Sequence, residues 1–295
     1  LQKLMEIGNK IKPTHCFISP NLEFDSQTAH HLSIQINING FSFALLDLLN
    51  QEYIALEHFD IENCSNYDSL CEKIDEIIYQ HKILQQEFKS SSVAISNHIN
   101  TLTPKILFQE DIGKEVLNFN HPILKNEQET NDWLRSIQAF NSYIIPSQLK
   151  RCLKKHFDGI IWKHDSTILI ESILNQFKLQ EGKKIYLSIQ NNYFELIILN
   201  GKKLIFFNSF KYKTAEDLIY FVLFTCEQLN LNPEQIPLII FGEIEEDSKI
   251  YQLLFRYVRH IYFTKRNPNY KYSFVLDTLK EHFYYKLLNQ HLCVS

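Results

Sequence analysis

Glycine and proline are scarce in this chain of 295 residues, which holds only seven glycines and eight prolines. Average usage of roughly 7% glycine would give about twenty. No two of the glycines are close enough in the sequence to share one loop. The spacing disfavours a P-loop or a dinucleotide-binding fingerprint, because both place several glycines within one phosphate-binding turn.

The sequence also lacks a basic excess, a paired cysteine framework and a long apolar run. Its 30 basic and 34 acidic side chains give a formal net charge of −4, which disfavours a general nucleic-acid binder. Six scattered cysteines form no CxxC pair, so they predict reduced thiols and no zinc site. The most apolar window, 218–224, is far shorter than the ~20 residues of a membrane helix. We therefore expect a cytoplasmic protein without membrane insertion.

A repeat divides the sequence into two similar halves. The tetrapeptide LSIQ occurs at 32–35 and again at 187–190, an offset of 155 residues. Two further apolar runs follow each copy: 41–47 and 52–59 in the first half, 194–200 and 203–210 in the second. Each half therefore predicts three successive strands, and Asn200-Gly201 suits a two-residue turn between two of them.

After these strands, each half changes to a helical period. Possible helix caps stand at Ser65 to Asp68 and at Thr214 with Asp217, each followed by apolar residues at helical spacing. The later elements share one order: strand 93–96, helix 146–156, strand 159–163 and helix 166–177 in the first half; strand 238–241, helix 247–259, strand 260–264 and helix 274–290 in the second. Both halves thus read β-β-β-α-β-α-β-α, and the first carries an insertion at about 98–145.

This order is typical of an α/β architecture in which helices cover both faces of a mixed sheet. It resembles the ribonuclease-H-like fold, and two such units in tandem resemble the actin, sugar kinase and Hsp70 superfamily. Segments 191–221, 242–254 and 287–293 are similar to a bacterial family of unknown function with a degenerate actin-like ATPase fold, related to actin-like scaffolds of pilus assembly. The predicted domains are an N-terminal extension at 1–27, a first lobe at 28–180 and a second lobe at 181–295.

The resemblance implies a nucleotide cleft between the lobes and shows what such a cleft needs. An actin-like ATPase has an Asp at the end of each first strand, glycines in the next turn and a glycine pair near the adenosine. This sequence offers amides and two isolated glycines there: Gln35, Asn37, Gly40, Gln190, Asn191 and Gly242. An amide lacks the carboxylate charge that Mg²⁺ prefers. We therefore expect a vestigial cleft, no catalytic residue, no metal and neither ATP nor magnesium as a cofactor.

Several of these residues also suit a purely structural role. Asparagine tolerates tight turns and hydrogen-bonds its own backbone, which explains Asn37 and Asn191 equally well. Gly242 fits the exit of a strand as well as a ligand cradle.

Other chemistry stays open at a few positions. A metal-dependent nuclease would need carboxylates on the first strand, and neither copy has one. His156, Asp158, His164 and Asp165 bracket a predicted strand and are candidate metal ligands, or else caps and surface residues. Tyrosines and basic residues crowd the stretch 251–285, which predicts core packing or a protein-binding surface. Within it, 265–272 is a candidate RNA contact.

The sequence therefore favours a non-enzymatic protein-binding or scaffold module that has an actin-like fold without its phosphate-binding motifs. The expected partner is another protein. The alternative is a nucleotide- or metabolite-binding protein that uses a divergent cleft lined by Gln35, Asn37, Gln190 and Asn191.

Overall fold

Strands dominate the part of the chain that the computed structural model describes, which comprises residues 11–24, 29–62, 64, 66–109, 115–119, 127–177 and 179–294. The strands are β1 (His15–Ile18), β2 (His30–Asn37), β3 (Gly40–Asp47), β4 (Glu52–Asp60), β5 (Ser90–Ile95), β6 (Asn100–Pro104), β7 (Glu127–Leu134), β8 (Ala139–Pro146), β9 (Ile161–His164), β10 (Lys183–Ile189), β11 (Tyr193–Asn200), β12 (Lys203–Lys211), β13 (Leu238–Phe241), β14 (Ile261–Phe263) and β15 (Lys271–Tyr272). The helices are α1 (Tyr67–Gln80), α2 (Ser147–Lys154), α3 (Asp165–Phe177), α4 (Ala215–Gln228) and α5 (Lys249–Tyr257).

Each half of the repeat builds one mixed sheet. The first sheet has the order β1-β4-β3-β2-β5-β9, and the second has the order β12-β11-β10-β13-β14. In both, a three-stranded antiparallel meander is extended by two parallel strands. The two LSIQ copies lie in the equivalent strands β2 and β10, where their Leu and Ile side chains are fully or nearly fully buried. The predicted tandem ribonuclease-H-like architecture is therefore confirmed.

The first sheet also contains two strands from outside its own repeat. Strand β1 pairs with β4 in antiparallel fashion, and β15 pairs with β4 in parallel. The insertion forms a separate antiparallel sheet with the order β6-β8-β7. Segments from three regions of the sequence thus meet around the first lobe.

Four apolar cores fix the arrangement of these sheets, and the fourth packs the C-terminal segment against the first sheet. One lies under α1 and α2 in the first lobe, and another lies under α4 and α5 in the second. The third joins the lobes: Ile170 and Ile173 of α3 pack with Tyr186, Ile197 and Phe241 of the second sheet. Because the shared core is fully buried, the lobes are packed as one body rather than linked by a free hinge.

The helix caps follow the sequence closely. Thr214 and Asp217 form a reciprocal capping box at the start of α4. In the first half the cap is Asn66, whose side-chain oxygen accepts a 2.9 Å hydrogen bond from the Ser69 backbone N–H. Ser65, the predicted start of that cap, lies outside the described residues. None of the described helices is both long and apolar enough to cross a membrane.

The predicted last helix, 274–290, is wrong. This segment instead forms 3₁₀ turns at Phe274–Leu276 and Leu287–Cys293, and Tyr284 between them has a left-handed φ of 52°. Its apolar side chains pack on the first sheet, while Lys286 and Gln290 are buried against polar groups of the interior. A regular helix presents one face to a core, whereas this segment is buried on several sides and is shaped by the space between the lobes.

Gly242 occupies a position that no larger residue fits. It follows β13 with a φ of 103°, and its backbone N–H donates a 3.0 Å hydrogen bond to the His282 carbonyl. A Cβ atom added to Gly242 would lie 2.3 Å from the Ile189 carbonyl oxygen. Close approach of two strand ends therefore requires glycine here, irrespective of any ligand.

We expect Gly242→Ala to lower the free energy of unfolding by about 3 kcal/mol or more, because left-handed strain adds to a backbone clash. Gly159→Ala is the matched control: its φ is 64°, but no atom lies within 4 Å of the added Cβ. Strain alone should cost about 1 kcal/mol there. Urea unfolding measures both values, and equal losses would contradict the clash.

Candidate functional site

Five of the six predicted cleft residues meet between the lobes. Gln35, Asn37, Gln190, Asn191 and Gly242 line a cavity of about 110 Å³. The two hairpin ends that carry the amides come from equivalent strands of the two sheets, so the repeat brings them together. This volume is below the several hundred Å³ of typical small-molecule sites. The binding role of these residues stays a prediction.

Gly40, the sixth residue, begins β3 and does not line that cavity. A Cβ at this position would lie 3.0 Å from Cε1 of His58, which is a tight contact with a side chain. Gly40 also pairs with Asp60 across the sheet. Gly40 therefore has a structural role, because a larger side chain would press against His58 of the neighbouring strand.

Hydrogen bonds close both turns, one through the Asn37 side chain and the other through the Gln190 backbone. The Asn37 side-chain oxygen accepts a 2.8 Å hydrogen bond from the Asn39 backbone N–H. The Gln190 backbone N–H donates to the Tyr193 carbonyl at 2.9 Å, which closes the second turn. These bonds support the structural role that asparagine-rich turns predict.

A buried ion cluster forms the base of the cleft. Lys286, from the C-terminal segment, lies 2.5 Å from Asp165 Oδ2 and 2.9 Å from Glu195 Oε2. The lysine is 5% exposed, and both carboxylates are 0% exposed. Asp165 opens α3 and Glu195 lies in β11, so one ammonium group ties together both lobes and the end of the described chain.

Further hydrogen bonds surround the cluster. Ser96 Oγ and the Tyr193 hydroxyl donate to Asp165 Oδ2 at 2.7 Å and 3.0 Å. Ser166 Oγ donates to Glu195 Oε1. These donors add to the contacts with Lys286 at Asp165 Oδ2 and Glu195 Oε1, which helps to offset the cost of burying the charges, whereas Asp165 Oδ1 has no hydrogen-bond partner among the described residues.

The charges in the cluster influence one another. Burial favours the neutral form of Lys286, but Asp165 and Glu195 outweigh it and raise the lysine pKa above its usual value. Burial also disfavours the ionised form of Asp165. The charge of Lys286 and the hydrogen bonds donated to this carboxyl outweigh burial and lower its pKa. For Glu195, burial and the Asp165 charge dominate and raise the pKa. Asp165 and Lys286 are therefore the firmly ionised pair, with Glu195 the more easily protonated carboxyl.

The candidate histidine site does not assemble. His156 Nε2 lies 2.6 Å from Asp75 Oδ1, whereas His164 Nδ1 lies 3.3 Å from Asp165 Oδ1 in the lobe interface. The two rings therefore contact different carboxylates. Across the described ranges, no group of three or more His, Cys, Asp or Glu side chains is arranged to hold a metal ion.

The stretch 265–272 is largely structural. The Arg266 guanidinium donates to the carbonyls of Leu276 and Leu279, and it stacks over the Tyr272 ring at 5.0 Å. Tyr270 is buried against Tyr53 with ring centroids 5.2 Å apart. Among the tyrosines of the stretch 251–285, Tyr257 and Tyr262 are exposed. The arginine and both rings are thus engaged within the protein, which removes the basis for an RNA contact at these residues.

A larger cavity of about 610 Å³ lies at the mouth of the cleft. Its lining includes Asn37, His58, Asn97, His98 and Asn192, so hydrogen-bonding groups predominate among these side chains. The sequence pattern missed this cavity because its wall comes from six separate segments of the chain. It is the part of the cleft that has room for a small ligand.

A groove separates the inserted sheet from the second lobe. Strand β6 forms one edge of the inserted sheet, and β12 forms one edge of the second-lobe sheet. Both strands line two adjoining cavities of about 310 Å³ and 540 Å³, which share Leu102 and Phe207. In the sheet orders, β6 is the outermost strand beside β8 and β12 is the outermost strand beside β11, among the residues that the structure describes.

The larger cavity of this groove has apolar walls and a basic rim, whereas the smaller one is lined mainly by polar side chains, and there Ser209 Oγ donates a 3.5 Å hydrogen bond to Asn100 Oδ1. Leu102, Ile137, Leu204, Ile205 and Phe207 contribute apolar surface. The basic residues are all exposed: Lys202 and Lys203 line the groove, and Lys105 and Arg135 adjoin its lining residues in the sequence. The groove therefore combines strand edges, apolar walls and positive charge.

We expect Lys286→Met to lower the free energy of unfolding by about 3–5 kcal/mol, because it leaves two buried carboxylates without their cation. Lys280→Met is the matched control, since Lys280 forms a 2.5 Å ion pair with Glu245 on the surface. Its loss should cost at most about 1 kcal/mol. Thermal and urea unfolding measure both, and similar losses would contradict the role given to the buried cluster.

Solved structures show the same fold. A Bacteroides thetaiotaomicron protein with an actin-like ATPase fold and unknown function is 22% identical, with a TM-score of 0.74, covering 82% of this chain and 93% of its own. A chain of the PilM-PilN type IV pilus biogenesis complex is 13% identical, with a TM-score of 0.58, covering 90% of this chain and 98% of its own. Both likenesses establish the actin-like ATPase fold.

The sequence comparison gives the family. No curated protein matches the chain significantly. Residues 19–261 match the family described as "Protein of unknown function (DUF3822)", a match that spans most of the chain and both repeats. The chain therefore belongs to the DUF3822 family and has the actin-like ATPase fold.

Proposed function

We propose that this protein is a non-enzymatic protein-binding module and that its groove between β6 and β12 receives an extended segment of a partner protein. The observation that carries the proposal is the pair of strand edges that face one partly apolar groove. An extended peptide bonds to such an edge through its backbone and places alternate side chains into the walls.

The dimensions and charge of the groove indicate the kind of segment. Strand β6 has five residues, which corresponds to about 17 Å of extended chain. Apolar side chains on one face of the peptide would contact Leu102 and Phe207. Acidic side chains would complement Lys202 and Lys203, which are exposed and line the rim. The expected partner segment is therefore short, extended and acidic, with alternating apolar residues.

The base of the interlobe cleft supports the non-enzymatic part of the proposal. Its two fully buried carboxylates, Asp165 and Glu195, already contact Lys286 of the same chain. A carboxylate bound to an internal ammonium group is not available to a hard cation unless the ion pair is broken first. The solved complex of PilM with PilN provides an example of this fold associated with another protein.

A defined peptide tests the groove. We expect a fluorescent seven-residue peptide with alternating Glu or Asp and Ile or Val to bind with at least about tenfold higher affinity than its Lys-substituted counterpart, because of the basic rim. Fluorescence anisotropy measures the affinity. Hydrogen exchange should show slower exchange of the β6 and β12 amides when the acidic peptide is present.

A charge-reversed variant supplies the control for position. Lys202→Glu with Lys203→Glu should weaken binding of the acidic peptide about tenfold or more. Lys82→Glu with Lys154→Glu makes the same change in net charge on exposed residues of the first lobe and should leave binding unchanged. Equal weakening by both pairs, or equal binding of both peptides, would overturn the proposal.

A second candidate function is binding of a nucleotide or metabolite, which the 610 Å³ cavity at the mouth of the cleft favours. Asn37, Gln190 and Asn191 line both this cavity and the smaller one beneath it. Their amides could hydrogen-bond a polar ligand without a metal. A ligand here would occupy the mouth of the cleft and not its closed base.

Calorimetric titration with ATP and magnesium separates the two functions. The protein-binding proposal predicts no binding at low micromolar ATP, because the carboxylates at the base of the cleft are paired with Lys286. Binding that is weakened by Gln190→Ala would favour the second function instead. Thermal-shift measurements with other nucleotides should agree, since a ligand that binds only the folded protein raises its melting temperature.

A further inference from the structure

Two cysteines meet where the helices of the first lobe pack together. Cys71 lies on α1 and Cys152 lies on α2. The Cys152 Sγ is 3.7 Å from the Cys71 carbonyl oxygen. Cys152 is buried, whereas Cys71 is half-buried and open to solvent on one side.

A carboxylate and an imidazole complete this cluster. Asp75 follows Cys71 by one helical turn and accepts a 3.3 Å hydrogen bond from the Cys152 thiol. His156 follows Cys152 by four positions, and its Nε2 lies 2.6 Å from the same Asp75 oxygen. Lys155 Nζ lies 3.3 Å from the other carboxylate oxygen of Asp75. The thiols therefore lie beside a proton acceptor and an ammonium group.

The two thiols differ in reactivity. The neighbouring Cys152 thiol lowers the pKa of Cys71, and this effect outweighs burial and the charges of Asp75 and Asp68, which act in the opposite direction. The neighbouring Cys71 thiol, together with burial, raises the pKa of Cys152. Only a thiolate attacks an oxidant at a useful rate, so Cys71 is the thiol that reacts first and Cys152 is the one that follows.

We propose that Cys71 and Cys152 form an oxidation site that reacts with hydrogen peroxide and closes to a disulfide joining α1 to α2. In the first step, the Cys71 thiolate attacks one peroxide oxygen. The S–O bond forms, the O–O bond breaks, and the departing hydroxide takes a proton to become water, which leaves a sulfenic acid on Cys71.

In the second step, the Cys152 sulfur attacks the Cys71 sulfur. The S–S bond forms, the S–O bond breaks, and hydroxide leaves as water with the proton that Cys152 gives up through Asp75. Overall, two thiols and one peroxide yield one disulfide and two waters, so two electrons pass from the thiols to the peroxide. Because Cys152 Sγ already contacts the backbone of Cys71 at 3.7 Å, rotation of the two side chains is the movement that brings the sulfurs to bonding distance.

Peptide mapping tests the site in the intact chain. The protein is treated with one equivalent of hydrogen peroxide, its remaining thiols are alkylated, and its peptides are identified by mass spectrometry. We expect a Cys71–Cys152 cross-link that dithiothreitol reverses, with the other four cysteines alkylated. A cross-link between any other pair, or retention of both thiols, would overturn the proposal.

Serine variants assign the order of the two steps. In Cys152→Ser, oxidation should stop at the Cys71 sulfenic acid, which dimedone traps. Cys71→Ser should give neither sulfenic acid nor disulfide, whereas Cys226→Ser, which removes a buried thiol of the second lobe, should still form the cross-link. Dimedone labelling of Cys152 instead of Cys71 would contradict the order. The mapping of the unaltered protein decides the disulfide even where a variant folds poorly.

Discussion

The buried ammonium group of Lys286 links the two lobes and constrains how they pack. Asp165 and Glu195 approach it from different lobes, and neither carboxylate is exposed. Replacing water around three charges is costly, so the ions must remain close together and hydrogen-bonded. The positions of α3, β11 and the C-terminal segment are therefore coupled, and the hydrophobic core between the lobes packs around that fixed point.

The same ion cluster also closes the base of the cleft between the lobes. In an actin-like arrangement, the facing hairpin turns surround the space between the lobes, and here that space narrows onto an internal ion pair. The surfaces that stay open lie farther out, at the mouth of the cleft and between the inserted sheet and β12. The chain thus has the actin-like ATPase fold, and its open surfaces carry hydrogen-bonding side chains and strand edges.

Local sequence patterns predict most of this fold but little of the site. Strand and helix periods depend on neighbouring residues, so the repeat and the capping box at Thr214 are visible directly in the sequence. Lys286 is 121 positions from Asp165 and 91 from Glu195, and no local pattern links residues so distant. The segment 274–290 is not the helix that its sequence predicts, because its conformation depends on contacts with both lobes. The sequence marks Gly242 as a glycine after a strand, but the Ile189 carbonyl that excludes a larger residue comes from another strand.

The C-terminal segment also imposes an order on folding. It covers one apolar face of the first sheet, where Leu46 and Tyr53 pack with Leu276 and Leu287, and Gln290 donates a hydrogen bond to Ser92, 198 positions earlier. During synthesis the first sheet precedes this cover by most of the chain length. The apolar face of the first sheet is therefore exposed to solvent until the second lobe has been synthesised. The first lobe is completed last, although it is synthesised first, and its apolar face is a surface for aggregation during that interval.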